Sequence, residues 1–372
     1  MRLIYYKLSL RISVNYPSRS KNMTMASERA SKRRKLTPPE EEQRAKASRG
    51  QNGPRKTKKQ GFTIENTEAE SKNGESQNEQ EDLPSVKGLD SSDPSIRRKT
   101  LAAILSHLET RSATRPLTKT ECLQTWRAFY VAVYMHDSKN AISVQNLLRD
   151  IAGTFATIAH KDDELADSSN HDSEGQQSPW LEPYHTAFHE TIIREWASID
   201  SHRMNKYLLL IRFVVQQLFK VCFVPQLSLK KEQVKAAKTE GASLGGDILT
   251  KIRLEAAQTK AVPILNTLRT VGPLNAKDPK IPNGFRLHVL DIWADELFNT
   301  LSTLEFRSEG EIEEHELAVK SVTALFREPL SKVTESNSGA QRNVRMRAKE
   351  AIEDFDDKVA TLLKTITKDQ SE

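Results

Sequence analysis

The stretch Arg194-Glu-Trp-Ala-Ser-Ile-Asp-Ser-His-Arg-Met-Asn-Lys-Tyr-Leu-Leu-Leu-Ile-Arg212 decides the fold. Asp200 stands where a helix N-cap belongs, because its carboxylate can accept from the free amides of the first turn. Beyond it Met204, Tyr207, Leu208, Ile211, Val215, Leu218, Phe219 and Cys222 recur at helical spacing. Leu209, Leu210, Phe213 and Val214 fill much of the remaining circumference. A helix that is apolar nearly all round must be covered on several sides. It is expected to be the central helix of an all-α core.

Other helices can be read outward from this one. Ser92-Asp93-Pro94 places a cap residue before a proline at the first helical position. The run Ile96, Leu101, Ile104, Leu105, Leu108 follows it. Thr118-Lys-Thr-Glu121 has the capping-box pattern and opens a helix carrying Leu123, Trp126, Phe129, Tyr130, Val133 and Tyr134. A third helix is expected over 144–158, then an acidic insertion loop over 161–179, then a helix over 183–196. After Pro225 the expected helices fall near 228–240, 246–270, 285–301 and 312–325. The glycine cluster Gly241-Ala-Ser-Leu-Gly245-Gly246 reads as a turn, Gly272-Pro273 as a break, and Pro329 as the end of the last core helix. No run of period-2 alternation marks a strand. The architecture implied is an irregular antiparallel helical bundle or short α-solenoid, with no strict repeat.

Composition divides the chain. Residues 1–60 hold 17 Lys/Arg against 4 Asp/Glu, while 61–92 hold 2 against 8, within a total net charge of +6. The positive charge therefore belongs to a tail, and the helical part is close to neutral. Residues 1–82 are polar and expected to be disordered, since they cannot bury enough apolar surface to offset the entropy of ordering. Residues 83–330 form the expected core, 331–339 a linker, and 340–367 an amphipathic C-terminal helix. In that last helix Val344, Ala348, Ile352, Phe355, Val359, Leu362 and Ile366 approach a heptad seam. It either docks on its own domain or binds a partner. Its first turns are basic and its middle acidic.

Met23 and Met25 look like an alternative start, so the first 22–24 residues read as an upstream extension. Lys32-Arg33-Arg34-Lys35 and Arg55-Lys56-Thr57-Lys58-Lys59 form a one- or two-part nuclear import signal, which implies an import receptor as partner. Cys122 and Cys222 are the only cysteines, far apart and in apolar contexts, as expected of reduced core residues. No run approaches the roughly 18 apolar residues of a membrane helix.

Chemistry is sparse. His185 and His189 share a helix face beside Glu190, but no third ligand accompanies them; they read as surface or interface histidines. There is no phosphate-binding loop, nucleophile elbow or Cys–His pairing. Trp126, Trp180, Trp196 and Trp293 sit beside apolar faces and read as core residues rather than base-stacking platforms. No catalytic, metal or cofactor-binding residue is assigned.

Four ordered blocks resemble the ribosomal RNA processing protein 1 family of nucleolar proteins. They are Leu89-Asp-Ser-Ser-Asp93 with Arg97; Trp126-Arg-Ala-Phe-Tyr130 with Met135-His-Asp137; Glu195-Trp196, Ile199-Asp200, Arg203 and Lys206-Tyr207 through Arg212; and Ile281-Pro-Asn-Gly-Phe-Arg-Leu-His288 with Asp291-Ile292 and Asp295-Glu296-Leu297. The third block is the most specific, so Glu195, Trp196, Asp200, Arg203, Lys206, Tyr207 and Arg212 are expected in the core or on a partner surface. The chain departs from the family in a longer segment after Asp137, in the acidic stretch at 161–179 and in its basic amino-terminal tail. The resemblance implies a nucleolar, non-catalytic scaffold in ribosomal RNA processing and large (60S) subunit biogenesis. Its partners would be assembly factors and pre-ribosomal particles, with RNA contact left open. A helical scaffold of another nuclear complex, in chromatin or transport, is the alternative.

Overall fold

A computed structural model describes residues 84–137, 139–168, 179–227, 245–302 and 312–368. Among them are nine α-helices and no strand. The helices are α1 (Pro94–Thr110), α2 (Lys119–Met135), α3 (Ala141–Ser168), α4 (Leu181–Glu195), α5 (Ser201–Leu227), α6 (Gly245–Thr270), α7 (Asn283–Ser302), α8 (Ile312–Thr334) and α9 (Arg342–Lys368). Short 3-10 turns at Val86–Asp90 and Trp196–Ser198 precede α1 and α5.

Packing links helices two apart in the chain. One row runs α1, α3, α5, α7, α9 and the other α2, α4, α6, α8. Consecutive helices cross between rows, as α5 does to α6 and α8 to α9. This is the layered stacking of an α-solenoid without a repeating sequence. Within the first row contacts advance together: Leu208 meets His288 and Arg212 meets Glu296, then Asp291 meets Arg347 and Asp295 meets Lys358. Those helices are therefore parallel. The central α5 touches α2, α3, α6 and α7. Tyr207, Leu210, Ile211, Val214, Leu218, Phe219 and Cys222 are all buried, so its apolar circumference is covered as the sequence requires.

The helix starts follow local chemistry. Asp93 accepts from the Ser95 amide at 2.7 Å ahead of Pro94. The Thr118–Glu121 capping box closes in both directions, at 3.2 Å and 2.7 Å. Asp200 accepts from the Arg203 amide at 2.9 Å.

Three boundaries differ from expectation. The supposed insertion loop begins as helix: α3 continues to Ser168. Lys161 and Asp162 are buried there, and Asp162 accepts from the amides of Trp180 and Leu181 at 3.0 and 3.1 Å. A charged residue caps the next helix from a distance, which composition alone hides. Gly245 and Gly246 lie in α6 rather than in a turn. The linker expected from 331 is shorter, because α8 passes through Pro329 to Thr334. Buried Leu330 and Val333 anchor that last turn, and their burial offsets the hydrogen bond that proline cannot donate. Pro263 is tolerated inside α6 in the same way, between buried Ala261 and Ile264.

The C-terminal helix α9 lies against α7 and α8, with Val344, Ala348, Phe355 and Leu362 buried. Gly339 supports the turn before it with φ +84°, a left-handed conformation that side chains disfavour. The segments expected as a disordered tail, an alternative start and a helix near 228–240 lie outside the described residues, as does the side chain of Ile366.

Candidate functional surface

Arg203, Lys206, Tyr207 and Arg212 of the central stretch are structural braces. Lys206 is 6% exposed. Its ammonium donates to the carbonyls of Val133 at 2.7 Å, His136 at 2.9 Å and Tyr134 at 3.4 Å. These are orphan acceptors at the C-terminal end of α2, where a cation is favoured. Burial, then the nearby Arg203 charge, pushes the Lys206 pKa down. Arg203 pairs with Asp200, donates to the Tyr134 carbonyl at 3.2 Å and lies over the Tyr134 ring at 4.2 Å. The Tyr207 hydroxyl donates to the Tyr130 carbonyl at 3.0 Å, and the two rings stack at 4.9 Å. Three residues of α5, Arg203, Lys206 and Tyr207, thus clamp one end of α2, and Asp200 holds Arg203 in place.

The rest of the stretch faces α7. Arg212 pairs with Glu296, whose side chain is 1% exposed and also accepts from Gln216 at 2.9 Å. Burial raises the Glu296 pKa, against the pull of Arg212. Trp196 stacks on Phe285 at 5.7 Å. Glu195 is buried and accepts from Arg194 at 2.8 Å. Asp200, Arg203 and Arg212 keep about a third of their side chains in solvent, and the exposed face of the stretch is made by Arg194, Ala197, Ser198, Ser201, His202 and Asn205.

His185 and His189 are not at the surface. They are 0% and 2% exposed, with Nε2 atoms 2.9 Å apart. The i, i+4 spacing is equally that of an inward face, and here the aromatic rings of Phe155, Phe188 and Phe285 surround it. Neither Nδ1 has a hydrogen-bond partner. Burial pushes His185 down to about 3 and His189 well below its ordinary value, the latter helped by His185. Gly272 is required beside them: a Cβ there would sit 2.8 Å from the Leu268 backbone and 2.9 Å from His189 Nε2.

Burial pushes the Cys122 thiol up to about 12 and raises Cys222 as well, against thiolate chemistry. Among the described residues, no three His, Cys, Asp or Glu are grouped to hold a metal ion, and no helix is long and apolar enough to cross a membrane. Trp126, Trp180 and Trp293 are core residues. Both import clusters, Lys32, Arg33, Arg34, Lys35 and Arg55, Lys56, Lys58, Lys59, lie outside the described residues.

Sequence reasoning missed three buried polar groups. Asp162 caps α4 from α3. Arg286, 4% exposed, donates to the carbonyls of Asn275 and Asp278 at 2.5 Å each and so shapes the loop before α7. Glu296 anchors Arg212. Their signal was a charged residue at a position where the helical pattern calls for an apolar one. A concave feature also forms where α8 ends and α9 begins. It is an open groove lined by Thr334, Ser336, Arg342, Arg345, Met346 and Lys349.

Residues 80–372 match the family described as nucleolar protein, Nop52. The chain is 25% identical to ribosomal RNA processing protein 1 homolog A of Mus musculus over 203 residues, 54% of this chain and 31% of that protein. It is 23% identical to ribosomal RNA processing protein 1 homolog B of Homo sapiens over 211 residues, 56% of this chain and 21% of that protein. The match thus spans about a fifth to a third of these relatives' own length. The family match takes in all nine helices and the braces between α2, α5 and α7, and on that extent the chain belongs to the Nop52 family of nucleolar proteins.

Proposed function

We propose that this chain is a non-catalytic scaffold in nucleolar ribosomal RNA processing, acting on precursors of the large subunit. The family match over 80–372 carries this reading, together with relatives named for ribosomal RNA processing. The architecture supports it. A helical stack whose polar residues are spent on internal bracing, with buried thiols and buried neutral imidazoles, suits a rigid platform better than a reaction centre. Its partners are pre-ribosomal assembly factors and precursor particles. The basic clusters at Lys32–Lys35 and Arg55–Lys59 bring it to the nucleus through an import receptor. A core from residue 83 to the end of α8 at Thr334 carries the scaffold, preceded by the basic-then-acidic tail of 1–82.

Sedimentation of nuclear extract tests the reading. The protein should travel with pre-large-subunit particles and leave them when precursor RNA synthesis stops. Recovery with chromatin or transport complexes, and not with those particles, would select the alternative scaffold role. Replacing Lys32, Arg33, Arg34 and Lys35 together with Arg55, Lys56, Lys58 and Lys59 by alanine should weaken nuclear accumulation. Unchanged nucleolar concentration would remove the import assignment.

A further inference from the structure

The groove between α8 and α9 gathers three cations that, among the described residues, pair with no carboxylate. On the rest of α9 and its neighbours the cations are matched. Arg347 pairs with Asp291 and Glu350, Lys358 with Asp295 and Asp354, and Arg327 with Asp356. Among the described residues no carboxylate pairs with Arg342, Arg345 or Lys349. Arg342 and Lys349 are exposed, and Arg345 is half-buried and held by the Ala340 carbonyl at 2.5 Å. Their spacing of three and four puts them on one helix face, over about 10 Å of axis. The first turn of α9 carries no acid.

That distribution runs against the helix's own electrostatics. The macrodipole favours acids at the N-terminus and bases at the C-terminus. In α9 the first turns are basic instead, with Arg342, Arg345, Arg347 and Lys349 ahead of the acids Glu350, Glu353, Asp354, Asp356 and Asp357 in its middle. Internal pairing gives a reason for Arg347, through Asp291, but among the described residues it gives Arg342 and Lys349 no such reason, and the apolar seam of Val344, Ala348 and Phe355 lies on the face toward α7 and α8. An external polyanion gives one.

We infer that this groove binds the phosphate backbone of RNA, through Arg342, Arg345 and Lys349 with the hydroxyl of Ser336 beside them. The lining favours RNA over an acidic protein segment. Met346, 52% exposed, is its only apolar side chain. A protein partner draws its energy from buried apolar anchors, which this groove lacks. A phosphate backbone needs only cations and hydroxyl or amide donors, and it is read without sequence. The inference rests on the ribosomal RNA processing role proposed above and names the contact through which the scaffold meets its precursor.

The test uses the full chain and a fluorescent single-stranded RNA of arbitrary sequence. The variant Arg342→Glu with Lys349→Gln removes two phosphate contacts while placing an acid where α9 favours one, so its melting temperature should hold or rise. The variant Arg98→Glu with Lys99→Gln makes the same charge change on exposed residues of α1. Between about 50 and 200 mM salt, the groove variant should bind roughly tenfold more weakly, with its log–log salt slope shallower by about 1.4. The α1 variant should keep the parent slope. A 4-thiouridine RNA should crosslink the unmodified chain within residues 334–349, a readout that needs no variant. Parent-like slope and affinity in the groove variant, or no crosslink in that segment, overturns the inference. So does a polyglutamate peptide that displaces RNA at equal charge, which would make the partner an acidic protein. If the groove variant loses the crosslink yet still sediments with pre-large-subunit particles, the groove contact stands and other surfaces hold the chain there. A chain that binds RNA through the groove but never meets those particles keeps this inference and loses the processing role.

Discussion

Lys206 and Arg212 show how much a single polar side chain can hold. By sequence they look like solvated heads on an apolar helix, removable at a cost within about 1 kcal/mol. The structure corrects this, since Lys206 is buried on three carbonyls and Arg212 neutralises a buried carboxylate. Lys206→Ala should destabilise the fold by about 2–4 kcal/mol, because it strands carbonyls at the end of α2. Arg212→Ala should cost about 3–5 kcal/mol by leaving Glu296 charged and unpaired. The double variant Arg212→Leu with Glu296→Leu should recover more than half of that loss, since an apolar pair carries no desolvation penalty. Denaturant melts would decide, and a double variant as unstable as Arg212→Ala would show that the pair is not the cause. Ile211 is fully buried on α5. Ile211→Asp should abolish cooperative unfolding altogether, because an uncompensated carboxylate is added to a lost side chain worth about 2–5 kcal/mol in a domain with about 5–15 in total. An unchanged melting temperature for that variant would place the core elsewhere.

Among the helices, α9 separates apolar packing from ion pairing most cleanly. It meets α7 and α8 through a buried seam and through three cross-helix pairs: Arg347–Asp291, Arg327–Asp356 and Lys358–Asp295. All of the paired side chains are at least a quarter exposed, so each pair is worth about 0–1 kcal/mol. Phe355, 2% exposed, is worth more. Phe355→Ala should cost about 3–5 kcal/mol, while Arg327→Ala should stay within about 1. Hydrogen exchange along α9 would check the contrast; comparable loss of protection in both variants would mean that charge, not the seam, seats the helix. At the start of α2, Thr118→Ala should cost about 1 kcal/mol, as the capping box contributes locally.

At the scale of the whole molecule, acid should unfold the stack through its buried imidazoles. Above about pH 6.5 His185 and His189 are neutral in both folded and unfolded chains. As pH falls below that value the unfolded chain takes up protons that the folded chain refuses. Stability therefore drops, by about 1.4 kcal/mol per pH unit for each imidazole. For His185 the drop continues down to about pH 3. The hydrogen bond sharpens the effect: one Nε2 must donate and the other accept, so protonating the acceptor sets two donors face to face. Glu296 and Asp162 act in the opposite sense, because burial raises their carboxyls and makes folded-state protonation easier. Thermal melts from neutral to acid pH should show a flatter acid limb in the double variant His185→Gln with His189→Gln. A limb as steep as the parent's would move the acid sensitivity to other groups.

Local pattern was enough for much of this molecule. The apolar circumference from Met204 to Cys222 requires a surrounded helix, and Asp93, Thr118 and Asp200 mark helix starts, because capping and helical periodicity are set by neighbours within one or two turns. The family was legible too, in the spacing of Glu195-Trp196, Asp200, Arg203 and Lys206-Tyr207. What those residues do was not. Whether Lys206 meets water or the carbonyls of α2 depends on a helix about 70 residues earlier in the chain. The same holds for Asp162 with the start of α4, for Arg212 with Glu296, and for the two histidines enclosed by rings from three helices. Burial of a charge or an imidazole is decided by what packs against it, and only the tertiary stacking of the two rows supplies those partners. The groove divides in the same way: its cations are plain in the sequence, and their lack of carboxylate partners appears only once α7, α8 and α9 are in place.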